Sequence, residues 1–174
     1  MKRALRFFLC AWLVGSAPNA FSGQAAGGKT YKLRDGDLWV SGRHKKSHRL
    51  TSAGKIKSFS ISPTGKYAAC QKVLKTVDEY SDDTDAGPAE VIGERDLCSI
   101  LIVDLTTGKV VHELKISEKL PATFDSLGIV AWEGDRTLKF IRSDGRAADT
   151  FVYDVVDNKV DGYDDPESVG FTAK

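Results

Sequence analysis

Three stretches of this chain repeat one another, and a repeat at this spacing restricts the possible folds more than any other feature. Leu38-Trp39-Val40, Ile100-Leu101-Ile102-Val103-Asp104-Leu105 and Phe151-Val152-Tyr153-Asp154-Val155 occupy the same place in a pattern. Each leads through a polar turn into a short return: Leu50-Thr51, Gly108-Lys109-Val110-Val111 and Asn158-Lys159-Val160. Between them, residues 60–69 match residues 130–140, with Ser62-Pro63-Thr64-Gly65-Lys66 set against Glu133-Gly134-Asp135-Arg136. One such unit cannot bury its apolar face alone, so neighbours must stack. The repeat predicts a solenoid or propeller-type arrangement, with a plain antiparallel meander as the alternative.

Within the repeats, apolar residues alternate or are β-branched, which is the strand signature. Strands are expected at 37–40, 48–51, 56–62, 67–73, 97–105, 110–116, 127–132, 137–142 and 150–156. The turn at 62–66 carries Pro and Gly where a β-turn wants them. The stretch 97–105, LCSILIVDL, is the most apolar and is expected to be central. Two connections are long, 76–96 and 117–126. Loops of that length are uncommon in compact domains unless they are functional or disordered. The fold class expected is all-β, built of antiparallel sheets.

The N-terminus reads as a secretory leader. Met1-Lys2-Arg3-Ala4-Leu5-Arg6 is basic, residues 7–15 (FFLCAWLVG) are apolar, and small residues follow. That apolar run is far shorter than the ~20 residues a membrane span needs. Cleavage is expected after Ala20 or Ala25, giving a signal peptide over 1–25 and one domain over 26–174. The expected compartment is the periplasm, which permits disulfides. Cys10 leaves with the leader, and the remaining even pair, Cys70 and Cys98, is expected to form one bridge.

Charge is distributed unevenly. The whole chain carries a net +1. From residue 29 to residue 75 the only acids are Asp35 and Asp37, whereas from 78 to 96 Arg95 is the only base among eight acids. A near-neutral total argues against nucleic acid as the main partner. The distribution predicts a basic part and an acidic loop on one surface.

Sequence patterns for catalysis are missing. No Gly-rich phosphate loop follows a strand, and neither Cys70 nor Cys98 stands in a recognisable Cys–His motif. His44 and His48 are four apart, a spacing that converges only on a helix, and they sit in an expected hairpin. Asp82-Asp83-Thr84-Asp85 lacks the bidentate Glu of a calcium loop. The expectation is a protein that is not an enzyme and needs no cofactor or metal. Its long loops carry Tyr80, Leu120 and Phe124 among the acids Asp82, Asp83, Asp85 and Asp125, a composition that suits a protein interface.

The stretch "DLWV…RLTSAGKIKSFSISPTGKYAACQ" resembles the blade motif of TolB-like and WD40-like β-propellers, and "ILIVDLTTGKVV" resembles the strand and turn that follow it. The resemblance covers about residues 37–160 and implies a partial propeller of two to three blades, since a closed ring needs ~4–8. In size, leader and truncated repeats the chain is also similar to periplasmic immunity proteins that neutralise type VI secretion amidase effectors. That similarity implies a protein partner, a peptidoglycan hydrolase toxin whose active site is occluded. By position it nominates the loop 117–126 as the plug, with Ser126 hydrogen-bonding the target's catalytic His. The rival reading is a TolB-like envelope scaffold or ligand-binding module.

Overall fold

The computed structural model describes residues 24–26, 28–42, 45–80, 91–116, 126–143, 148–161 and 171–173. Among these, every regular element is a strand, and no helix is long and apolar enough to cross a membrane. β1 (Gln24–Ala26), β2 (Lys29–Arg34), β3 (Asp37–Gly42) and β4 (Lys45–Arg49) form a first sheet in chain order. β5 (Ile56–Ile61), β6 (Tyr67–Tyr80), β7 (Val91–Asp104) and β8 (Lys109–Ile116) form a second, also in chain order. β9 (Ser126–Glu133), β10 (Thr137–Ser143), β11 (Ala148–Asp154) and β12 (Lys159–Val160) form a third. A last strand, β13 (Phe171–Ala173), returns to the second sheet and pairs outside β8. Every pairing is antiparallel, and none of the three sheets closes on itself.

The repeat seen in the sequence is a repeat of position. β3, β7 and β11 are each the third strand of their sheet. The turns after β7 and β11 are built alike. Asp104 Oδ1 accepts from the amides of Thr106 at 2.7 Å and Thr107 at 3.2 Å. Asp154 Oδ1 accepts from Val156 at 2.9 Å and Asp157 at 3.0 Å. Gly108 and Asn158 then take the same left-handed conformation, φ 70° and 54°, which Gly and Asn tolerate best. Partial burial works to raise both carboxyls, but these donors, joined by Arg136 at Asp154, hold them below the usual carboxylate range.

The second sheet lies between the other two. Side chains alternate across a strand, so Leu101 and Val103, with Leu105 just beyond β7, pack with Tyr31, Leu38 and Val40 of the first sheet. Ile100 and Ile102 point the other way, into Leu127, Leu138, Phe140 and Tyr153 of the third. A strand covered on both faces has no polar side to show, which is why residues 100–103 of β7 read as an unbroken apolar run. It is also the middle strand of its sheet, as expected. Fully burying one such side chain contributes about 1.5–3 kcal/mol, against about 1 kcal/mol for a hydrogen bond. Face-to-face burial therefore dominates, and polar contacts fix how the faces align. Between the second and third sheets, Gln71 Nε2 donates to the Leu127 carbonyl at 2.8 Å and Trp132 Nε1 to the Ser60 carbonyl at 3.1 Å. His112 Nε2 lies 3.0 Å from the Val155 carbonyl, which can only accept, so that nitrogen carries the proton.

Two expectations are corrected. Cys70 and Cys98 are free buried thiols, not a bridge. Cys70 stands opposite Leu101 and Cys98 opposite Val73, three register positions away. Three residues along a strand is about 10 Å and reverses the face, beyond the ~7 Å a disulfide tolerates between Cα atoms. The second correction concerns the connection at 76–96. β6 runs on to Tyr80 and β7 begins at Val91, with register kept from Thr76 opposite Asp96 to Glu79 opposite Gly93, after which a one-residue shift puts Tyr80 opposite Val91. The connection is therefore mostly a two-stranded arm. Backbone pairing, helped by the β-formers Val77, Tyr80, Val91 and Ile92, overrode a composition that read as loop.

Candidate functional site

The base of this arm meets the start of β9, and a cleft of about 520 Å³ opens there. Its wall combines Lys57 from β5, Thr76 from β6, Glu94, Arg95 and Asp96 from β7, and the two serines that end the β9–β10 pair, Ser126 and Ser143. Every one of these side chains is polar.

The junction follows from a shortage of backbone partners. β8 pairs with β7 only as far as Leu114 opposite Ile100. Beyond that point the buried Cys98 amide is met by a side chain instead: it donates to Ser126 Oγ at 3.0 Å. Ser126 Oγ in turn donates to the Asp96 carbonyl at 3.0 Å. Asp96 is held on its side-chain end as well. Thr76 Oγ1 donates to its Oδ1 at 2.9 Å, and Lys57 Nζ lies 3.3 Å from its Oδ2. With 41% and 34% of the two side chains exposed, the Lys57–Asp96 pair is screened and contributes little. Its consequence is geometric, because it ties β5 to the arm.

Above the cleft the arm leaves the core. Tyr80, Val91 and Ile92 are 49%, 51% and 64% exposed, large apolar groups kept in water. Below them Asp78 stands directly opposite Glu94, both exposed. Like charges facing each other across a strand pair disfavour the pairing. The arm is thus acidic at mid-length and apolar further out, and the cleft beneath is rich in donors and acceptors. Among the described residues, no three His, Cys, Asp or Glu side chains converge as a metal site. The arrangement offers hydrogen-bond donors and acceptors in the cleft and exposed apolar groups on the arm.

Of the residues nominated from sequence, Tyr80 lies on the arm and Ser126 in the cleft. Leu120, Phe124, Asp125, Asp82, Asp83 and Asp85 lie outside the described residues. The Ser126 hydroxyl has its single proton committed to Asp96, so donating to a partner's His would cost that bond. Sequence reasoning missed Lys57, Thr76 and Asp96 as a group. No motif links Lys57 to Asp96 across 39 positions, and only the sheet order brings them together. No family model, no curated protein and no solved structure matches the chain.

Proposed function

We propose that this chain is a periplasmic immunity protein: a binding protein that occludes the active site of a peptidoglycan amidase toxin. In this reading residues 1–25 are a cleaved export signal, and the three sheets are the blades of a partial, propeller-like scaffold. The observation that carries the proposal is the Ser126 junction. The two long connections singled out in the sequence, 76–96 and 117–126, are joined at one place by the bonds from Cys98 to Ser126 and from Ser126 to Asp96. Two long segments anchored side by side on a rigid sheet stack are positioned to act on one partner. The arm supplies Tyr80, and the sequence between its two strands carries Asp82, Asp83 and Asp85, whose charge steers association. The neighbouring connection supplies Leu120, Phe124 and Asp125 as the plug.

The test is expression with the leader in a Gram-negative host, isolation of the processed protein from the periplasm, and capture of partners from envelope extracts. The expected result is one cell-wall hydrolase, bound tightly and inhibited at one-to-one stoichiometry. Retention of the full-length chain in the cytoplasm refutes export. Capture of a resident envelope protein or glycan, with hydrolase activity untouched at saturation, refutes inhibition and leaves the scaffold or ligand-binding reading in its place.

A further inference from the structure

The outer face of the first sheet opposes the arm in charge and matches it in character. Leu38 and Val40 point into the core, so Trp39 points away from it. Lys32 and Arg49 stand on either side of Trp39 in one rank across β2, β3 and β4, and both are exposed. The Arg34 guanidinium lies over the indole, 5.4 Å from its centroid, while the indole N–H donates to the Arg34 carbonyl. The face is an aromatic ring among cations, of which Arg34 also pairs with Asp35 at 3.3 Å and Arg49 with Asp37 at 3.5 Å. Over residues 24–55 the chain has eight basic residues against two acids, and over 76–96 it has eight acids against one base. On the arm, Tyr80 follows two residues after Asp78, which faces Glu94. There the pattern is an aromatic ring among carboxylates.

From this complementarity we infer that the chain associates with a second copy of itself, the acidic arm of one molecule lying on the Lys32–Trp39–Arg49 face of the other. Asp78 and Glu94 repel each other in the isolated arm, and the cations of the second copy relieve that repulsion. Tyr80 and Trp39, each partly exposed in the single chain, cover one another. Opposite charge acting across solvent-exposed surfaces is screened within about 10 Å at 0.1 M salt, so the association is strongest at low ionic strength. Because it occupies the arm, self-association competes with any partner that uses the arm. That consequence rests on the proposed function, whereas the association itself does not.

The experiment is sedimentation velocity of the purified protein across a concentration series at low and high salt, with no other protein present. The expected result is a mass above the monomer that grows with concentration at low salt and collapses to the monomer at high salt. The double variant Lys32→Glu, Arg34→Glu is expected to be monomeric throughout, and so is Asp78→Lys, Glu94→Lys. All four positions are exposed, and circular dichroism and Tm confirm that each variant is folded. Mixing the two monomeric variants restores a complex, since their reversed faces match again. A protein that stays monomeric at low salt, an association indifferent to salt, or a mixture that fails to associate each overturns the inference. None of these outcomes involves a toxin, so they are independent of the partner capture above.

Discussion

Replacing Ser126 by Ala removes one hydroxyl and strands two groups. The Cys98 amide loses its acceptor at 3.0 Å, and with Cys98 only 1% exposed it meets water only through the space the hydroxyl vacates beside the cleft. An unsatisfied buried donor costs about 1–3 kcal/mol. The Asp96 carbonyl loses its donor at 3.0 Å, but Asp96 is a third exposed and can turn to water, which limits that loss to about 0.5 kcal/mol. Together these give about 1.5–3.5 kcal/mol, a sizeable part of a total stability of about 5–15 kcal/mol. The assay is urea unfolding of wild type, Ser126→Ala and Ser126→Thr. The Ala variant should show a lower midpoint at unchanged m-value, and Thr should recover most of the loss because it keeps the hydroxyl. Hydrogen exchange should show the Cys98 amide losing protection while the Ile100 and Ile102 amides keep theirs. A destabilisation below about 0.5 kcal/mol would mean that the hydroxyl is dispensable and that the two connections are not fastened together as described.

Four further outcomes follow from the structure. Gly36→Ala should destabilise by more than about 2 kcal/mol in thermal melts, because the residue sits at φ 72° and a Cβ there would lie 2.3 Å from the Gly54 carbonyl oxygen; a neutral effect would contradict the close approach of the β2–β3 turn to the β4–β5 connection. Neither Cys70 nor Cys98 should react with an alkylating reagent in the folded protein, and both should react in denaturant. Burial pushes the Cys70 thiol up to about 12, so the fold favours its protonated form, and stability should fall as pH rises above about 9, by up to about 1.4 kcal/mol per pH unit for this one group; a flat alkaline limb would argue against that burial. Burial works upward on Glu113, yet hydrogen bonds from Lys72 at 3.2 Å and Ser99 at 3.0 Å, with the charges of Lys72 and Lys115, hold it below the usual range. That stabilisation is present above the unfolded carboxylate value and lost as pH falls through the lower folded one. Glu113→Gln should therefore weaken the protein at neutral pH by about 1–3 kcal/mol and flatten the acid limb, as read from urea midpoints at several pH values.

What the chain's own pattern determined was strand and repeat. Alternation placed nine strands close to β3 through β11, and the paired turns at Asp104–Gly108 and Asp154–Asn158 were visible as matching residue types. These are local matters, set by side-chain period and by which residues tolerate a left-handed conformation. β2 was missed, although Tyr31 and Leu33 alternate within it, because its other residues are charged or polar and only the cover of β3 makes it a strand. The arm was missed for the same reason: its pairing is enforced by the ladder that runs up from the core, not by its composition. Register was decided by the tertiary structure alone. A shift of three positions separates a plausible Cys70–Cys98 bridge from two thiols on opposite faces, and no residue near either cysteine announces that shift. The cleft belongs to the same category. Lys57, Thr76, Asp96 and Ser126 come from four strands of two sheets, and they meet where β8 stops pairing short of Cys98 and Ser126 accepts from the amide left over.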